Sequence, residues 1–320
     1  MNNIGVPGIR IADFPVAGYG GLNPYSARFF NDISNGSTPF NELTYRVQTL
    51  HPSFFTMWLG ANDVLGFALN GGTGDGTGNA VPAILNIYNK YDITPYNVFY
   101  KLYDSAIRVA TSVGASGALI NIPDITSLPF FTVFPSNGLI ITRQTQADSL
   151  NQFWSNNPPY KAFQIGANQF MVKDHNNQVR QSIPGELILM TVPQSTTNCT
   201  PLGSYTPIDN LYVLTTDELQ MIRSATHLFN DYIYLESRKY NLAYVDMNKY
   251  LSTVNTGVVF NGINYNASYV SGGAFSLDGI HLTQRGYALV ANQIIATIDS
   301  FYKSTIPLVD ANKFHGVLFP

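Results

Sequence analysis

The chain has 320 residues, of which 45% are hydrophobic and 13% aromatic, so there is enough apolar material for a large core and disorder as a whole is excluded. Lys+Arg 17 against Asp+Glu 20 leaves a net charge of -3, which provides no excess of positive charge to hold a polyanion, and nucleic acid is not an expected partner. The single Cys199 excludes an intramolecular disulfide and a thiolate metal cluster, and no stretch approaches the ~20 consecutive apolar residues of a membrane span.

Charged residues make up only 12% of the chain, about half the usual ~25%, so Asn, Ser, Thr, Gln and Tyr must supply much of the solvated surface, as suits an extracytoplasmic protein. Met1-Asn2-Asn3-Ile4 has neither the basic nor the apolar region of an export signal. Asn3-Ile4-Gly5-Val6-Pro7-Gly8 reads as the end of a strand and its turn, with no polar lead-in, a first pointer to sequence ahead of Met1.

From there the chain alternates short apolar runs with longer helical patterns, the signature of parallel strands joined by crossover helices. Strands are expected at 54–59, 117–122, 186–191 and 242–246, each ending in Gly, Pro, Asn or Asp chemistry. Residues 94–113 carry Val98, Leu102, Ile107 and Val109 at helical spacing. Residues 216–240 carry Leu219, Ile222, Phe229 and Ile233, and Thr215 followed by Glu218 supplies a capping box at the start of that helix. A last helix over about 284–301 presents Ala288, Ala291, Ile295 and Ile298, ahead of a Pro-ended tail. Three segments break the alternation and are expected to be insertions beside a site: the glycine-rich 66–82, the Pro- and aromatic-rich 123–183, and 254–273, which resembles a Gly/Asn-punctuated hairpin. The glycine run lacks the Gly-Lys-Ser/Thr ending of a phosphate-binding loop and the spacing of a dinucleotide fingerprint, so it is expected to be a flexible loop.

Of five histidines only His281 has an aspartate three residues earlier, in Ser276-Leu277-Asp278-Gly279-Ile280-His281-Leu282-Thr283. Such spacing can set a carboxylate beside an imidazole, fixing its tautomer and stabilising the imidazolium formed when the other nitrogen takes a proton from a nucleophile. A capping Asp and a packed His would produce the same spacing. In Trp58-Leu59-Gly60-Ala61-Asn62-Asp63 a strand runs out into a side-chain amide, at the strand end where open parallel sheets bind ligands and where an amide can donate to an oxyanion; a simple turn is the other reading. Gly5 and Gly8 allow a backbone N–H to approach a substrate oxygen.

Taken in order, these elements resemble the SGNH, or GDSL-type, hydrolase superfamily. Asn3 to Gly8 looks like its glycine block, Gly60-Ala61-Asn62-Asp63 like its Gly-x-Asn-Asp block and Asp278-Gly279-Ile280-His281 like its Asp-x-x-His block. Asn121-Ile122-Pro123-Asp124-Ile125-Thr126-Ser127-Leu128-Pro129 and the stretch from Gly272 to Tyr287 are similar to the bacterial lipase/acylhydrolase branch. The resemblance implies a flavodoxin-like three-layer α/β/α fold with a parallel sheet, in a single domain over 1–320. It also implies a carboxylic-ester hydrolase needing no metal or cofactor, and an extracytoplasmic location. By carry-over, His281 is the general base, Asp278 its orienting carboxylate, and Asn62 with the backbone N–H of Gly8 the oxyanion donors; Gly8 is preferred to Gly5 because the family glycine follows a turn residue, here Pro7.

The Gly-Asp-Ser block that supplies the family's nucleophile occurs nowhere in the chain, so the serine and the central strand before it are expected upstream of Met1, and this chain by itself is expected to be inactive. That strand would lie between one ending near Val6 and the strand over 54–59. Ser276 shares the loop of Asp278, but its position gives no reason to expect attack geometry. Two alternatives remain. One is a non-catalytic relative binding glycan or protein through Phe130, Phe131, Phe134, Phe153, Trp154 and Tyr160. The other is a lipid-handling role with Phe130 to Phe134 as a lid or acyl-pocket wall.

Overall fold

Three parallel strands organise the molecule: β1 (Phe54–Met57), β2 (Ser116–Ile120) and β3 (Ala243–Val245), in the spatial order β1-β2-β3. Phe54 lies opposite Ser116 and Met57 opposite Leu119 across β1 and β2, and Ala243 opposite Ala118 and Val245 opposite Ile120 across β2 and β3. The central strand is buried from Gly117 onward, which is why its sequence is an unbroken run of small and apolar residues rather than an alternation. The computed structural model describes residues 3–26, 37–78, 89–157, 161–193 and 201–317. Cys199, Tyr160, the glycine-rich segment beyond Gly78 and the last three residues lie outside these.

The helices of eight residues or more among the described residues are α1 (Pro39–Leu50), α2 (Asn62–Leu69), α3 (Tyr96–Thr111), α4 (Gln144–Phe153), α5 (Thr216–Lys239), α6 (Met247–Thr256) and α7 (Gln284–Tyr302). Helices α5 and α7 pack directly on the sheet, and α3 packs on α5, giving the α/β architecture that the alternating pattern predicts. The capping box forms as expected: the Glu218 N–H donates to Thr215 Oγ1 (3.4 Å) and the Thr215 N–H to Glu218 Oε2 (2.6 Å). The face of α5 that enters the core carries Leu219, Ile222, Phe229 and Ile233. In α3 the buried face is Phe99, Tyr103, Ala106, Ile107 and Ala110, with Val98, Leu102 and Val109 on its half-buried flanks, so the apolar stripe is wider than the four expected residues and turned from them. The hairpin expected within 254–273 is present as Val258–Phe260 paired antiparallel with Ile263–Tyr265 around Asn261 and Gly262; α6, which runs into it, was not anticipated.

Three expectations are corrected. The run 186–191 contributes only Leu187–Ile188, paired antiparallel with Phe134–Pro135 and Val213–Leu214 in a separate small sheet. A short apolar run does not reveal its pairing direction. Residues 3–6 form no strand: the chain turns at Val6–Ile9 and enters a short 3-10 helix, Ile11–Asp13. The glycine-rich segment begins as the end of α2 and becomes a loop only after Leu69. Segment 123–183 is richer than a loop. It holds α4 and two antiparallel hairpins, Leu139–Ile141 with Gly166–Asn168 and Met171–Lys173 with Val179–Gln181, around a separate apolar cluster of Leu139, Ile141, Ala147, Leu150, Phe163 and Met171.

What leaves β2 positions everything downstream. Asn121 Nδ2 donates to Tyr244 Oη (2.7 Å) and Asp246 Oδ1 (2.9 Å), while its Oδ1 accepts the Asn248 N–H (2.8 Å). The Ile122 peptide is gripped by two helices: its N–H donates to Asn230 Oδ1 (2.7 Å), and its carbonyl accepts from Asn230 Nδ2 (2.8 Å) and Asn248 Nδ2 (3.0 Å). Replacing Asn230 by leucine leaves the buried Ile122 N–H without its acceptor. Asn230→Leu is therefore expected to lower the unfolding free energy by about 1–3 kcal/mol, measured by urea denaturation.

Candidate active site

Asp278 and His281 stand on one tight turn before α7. The Asp278 carboxylate organises that turn: Oδ1 accepts the N–H of Ile280 (2.9 Å), the N–H of His281 (2.9 Å) and the hydroxyl of Ser276 (2.7 Å). Oδ2 is left for the ring, and His281 Nδ1–H donates to it at 2.7 Å. Partial burial pushes the Asp278 carboxyl up, but the hydrogen bonds from Ser276, the Ile280 N–H, the His281 ring and the His281 N–H outweigh it and bring it down to about 2. The carboxylate is thus ionised across the neutral range, which fixes the proton of a neutral imidazole on Nδ1 and leaves Nε2 as an acceptor, on a ring 67% exposed to solvent. Ser276 spends its hydroxyl proton on Asp278 rather than presenting it to His281.

The amide-bearing corner is built differently. Gly60 follows β1 with φ +114, and a Cβ there would lie 2.6 Å from Ile122 Cδ1, so only glycine lets the chain turn against the segment leaving β2. Asn62 follows in the first turn of α2 and donates through Nδ2 to the Ile9 carbonyl (3.0 Å), which leaves the second amide hydrogen for another acceptor. The Ile9 N–H in turn closes a turn onto Val6 O (3.2 Å), with Pro7 and Gly8 at its centre and Gly8 at φ +77, the pattern of a type II turn. The Gly8 N–H meets no acceptor among the described residues, whereas the Gly5 N–H is taken up by Asn3 Oδ1 (2.8 Å).

The strands run parallel, so the Gly60 corner after β1 and Ile122 after β2 lie at the same, carboxyl-terminal edge of the sheet. The histidine turn also rests on the chain leaving β2, through the Phe130 N–H donating to Gly279 O (3.0 Å). The Gly60 corner and the histidine turn are therefore both braced on the chain leaving β2.

Several residues that sequence spacing did not single out hold these pieces. Asn23 Nδ2 donates to Pro7 O (2.9 Å) and steadies the Gly8 turn. Asp63, fully buried beside Asn62, accepts the Ile11 N–H (2.9 Å), the Ala12 N–H (3.4 Å) and the Thr94 hydroxyl (2.6 Å). It ties the N-terminal segment to α2. The expected aromatic surface is mostly absent: Phe130 and Phe131 are in the core at 5% and 0% exposure, Phe134 and Trp154 pack half-buried on small clusters, and Phe153 alone of the described members is open, at 56%. Among the described residues no helix is long and apolar enough to cross a membrane.

Burial pushes the Asp63 carboxyl up; the Thr94 hydroxyl, the Ile11 N–H, the charge of Arg10 and the Ala12 N–H pull it part of the way back, to about 6 from an ordinary 3.8. The folded state thus binds this proton more tightly than the unfolded chain. The corresponding stability is complete below pH ~4 and is lost as pH rises through about 6, on the order of 3 kcal/mol in all. In Asp63→Asn this component should vanish, so the change in unfolding free energy between pH 4 and pH 7 should differ from that of the native chain by about that amount in parallel urea titrations; identical pH profiles would refute the assignment.

Residues 1–294 match the family model described as GDSL-like Lipase/Acylhydrolase. No curated protein and no solved structure matches the chain. The match covers most of the sequence and includes Gly8, the Gly60–Asp63 corner and the Asp278–His281 turn, and on it the chain belongs to the GDSL-like lipase/acylhydrolase family.

Proposed function

We propose that this chain provides the acid–base and oxyanion machinery of a serine carboxylic-ester hydrolase. In this reading His281 is the general base, Asp278 its orienting carboxylate, and Asn62 Nδ2 with the Gly8 N–H the oxyanion donors. The nucleophile is the serine of a Gly-Asp-Ser segment encoded ahead of Met1, since no such triplet occurs in the 320 residues. The observation that carries the reading is the Asp278–His281 hydrogen bond: Nδ1–H is committed to an ionised carboxylate and Nε2 is left free to take a proton.

The serine oxygen attacks the ester carbonyl while His281 Nε2 takes its proton. Negative charge builds on the carbonyl oxygen, where the Asn62 amide and the Gly8 N–H can donate to it. The imidazolium then returns its proton to the departing alcohol, leaving an acyl-serine. Water, deprotonated by the same nitrogen, attacks the acyl carbonyl; the serine leaves with the proton, and the acid is released. No step calls for a metal or cofactor. An extracytoplasmic setting belongs to the same proposal and is supported by the low share of charged residues.

The test uses the protein from the upstream-extended reading frame and a p-nitrophenyl butyrate assay. The extended protein should turn over and the 320-residue chain should not. His281→Ala should lower kcat by about 10⁴-fold and Asn62→Ala by about 10²–10³-fold. An extended protein lacking Gly-Asp-Ser, or one whose turnover survives His281→Ala, would overturn the assignment.

A further inference from the structure

We propose that Ser276 sets the basicity of His281, acting through the far oxygen of Asp278. The inference rests on the ester-hydrolase reading for its consequence in catalysis, but its physical content concerns only three side chains on one turn.

Asp278 divides its two oxygens between different tasks. Among the described residues Oδ2 meets only the His281 ring, at 2.7 Å. Oδ1 collects three donors, of which two are backbone N–H groups that come with the turn itself and the third is the Ser276 hydroxyl at 2.7 Å. The backbone of Ser276 is fixed at both ends: its N–H donates to His281 O (2.8 Å) and its carbonyl accepts the Gly279 N–H (3.0 Å). The hydroxyl is thus delivered to Oδ1 by the same hydrogen bonds that close the turn.

A donor on Oδ1 draws charge away from Oδ2. Ser276 therefore moderates how strongly Asp278 holds an imidazolium, while the two backbone donors alone suffice to keep Oδ2 aimed at the ring. Removing the hydroxyl leaves the orientation and concentrates the charge, so the imidazole becomes the stronger base. Two further titratable groups lie near the turn. Tyr287 on α7 feels the charge of Asp278 and is pushed up by its burial, so it stays neutral through the relevant range; Tyr269, on the loop after the 258–265 hairpin, donates its hydroxyl to Leu277 O (2.7 Å).

The first test needs no turnover. The His281 imidazole is titrated by ¹H–¹⁵N NMR in the 320-residue chain, in Ser276→Ala and in Ser276→Thr. The midpoint is expected to rise by about half a pH unit in Ser276→Ala and to return in Ser276→Thr. An unmoved or lowered midpoint in Ser276→Ala overturns the proposal, as does a rise that threonine does not reverse. The second test uses the upstream-extended protein. Per active site, titrated with a fluorophosphonate, the acid limb of kcat/KM should move upward in Ser276→Ala with the NMR midpoint. A loss of active sites with an unmoved acid limb would mark Ser276 as a folding residue only. If His281→Ala leaves turnover intact, the ester-hydrolase reading fails, and the NMR titration still decides the role of Ser276.

Discussion

The Ile122 peptide is the point on which the rest of the molecule is hung. Its N–H and carbonyl are both bonded by Asn230 from α5, and its carbonyl again by Asn248 from α6, so the chain leaving the central strand cannot shift without breaking buried hydrogen bonds to two helices. Its side chain fills the space that Gly60 leaves open, and the chain beyond it reaches Phe130, on which the histidine turn is seated. The three parallel strands among the described residues thereby present loops far apart in sequence with fixed geometry.

Two aspartates show how differently the fold treats one functional group. Asp63 is buried and held mainly by backbone N–H groups and a hydroxyl, and desolvation prevails, raising its carboxyl to about 6. Asp278 is half exposed, and four hydrogen bonds prevail over its desolvation, lowering its carboxyl to about 2. The stability each contributes follows pH in opposite senses. The Asp63 component fades as pH rises through about 6, while the Asp278 component is present above its ordinary value and is lost as pH falls towards 2. One stitches the N-terminal segment to a helix, and the other holds an imidazole.

The elements legible in the sequence were those whose cause is local. A capping box at Thr215 and Glu218, an Asp-x-x-His spacing and an Asn-Gly turn each act within four residues, and each is present where its pattern lies. Asn230 gave no such signal: its partner is 108 positions away, and in its own helix it is one polar residue on the buried face. Asp63 was legible as part of a family block, but its bonds to Ile11, Ala12 and Thr94 depend on how three segments meet. The run 186–191 had the composition of a central strand. It became a two-residue strand in an antiparallel sheet because pairing direction is decided by which backbone lies alongside.

The Asn62 amide carries one hydrogen to the Ile9 carbonyl, one residue past Gly8, and has one hydrogen left. The Asn62 side chain and the Pro7–Gly8 turn are consequently fastened by the same bond. Truncating Asn62 removes its amide and at once slackens the Pro7–Gly8 turn, so substitutions at the two places will not act independently.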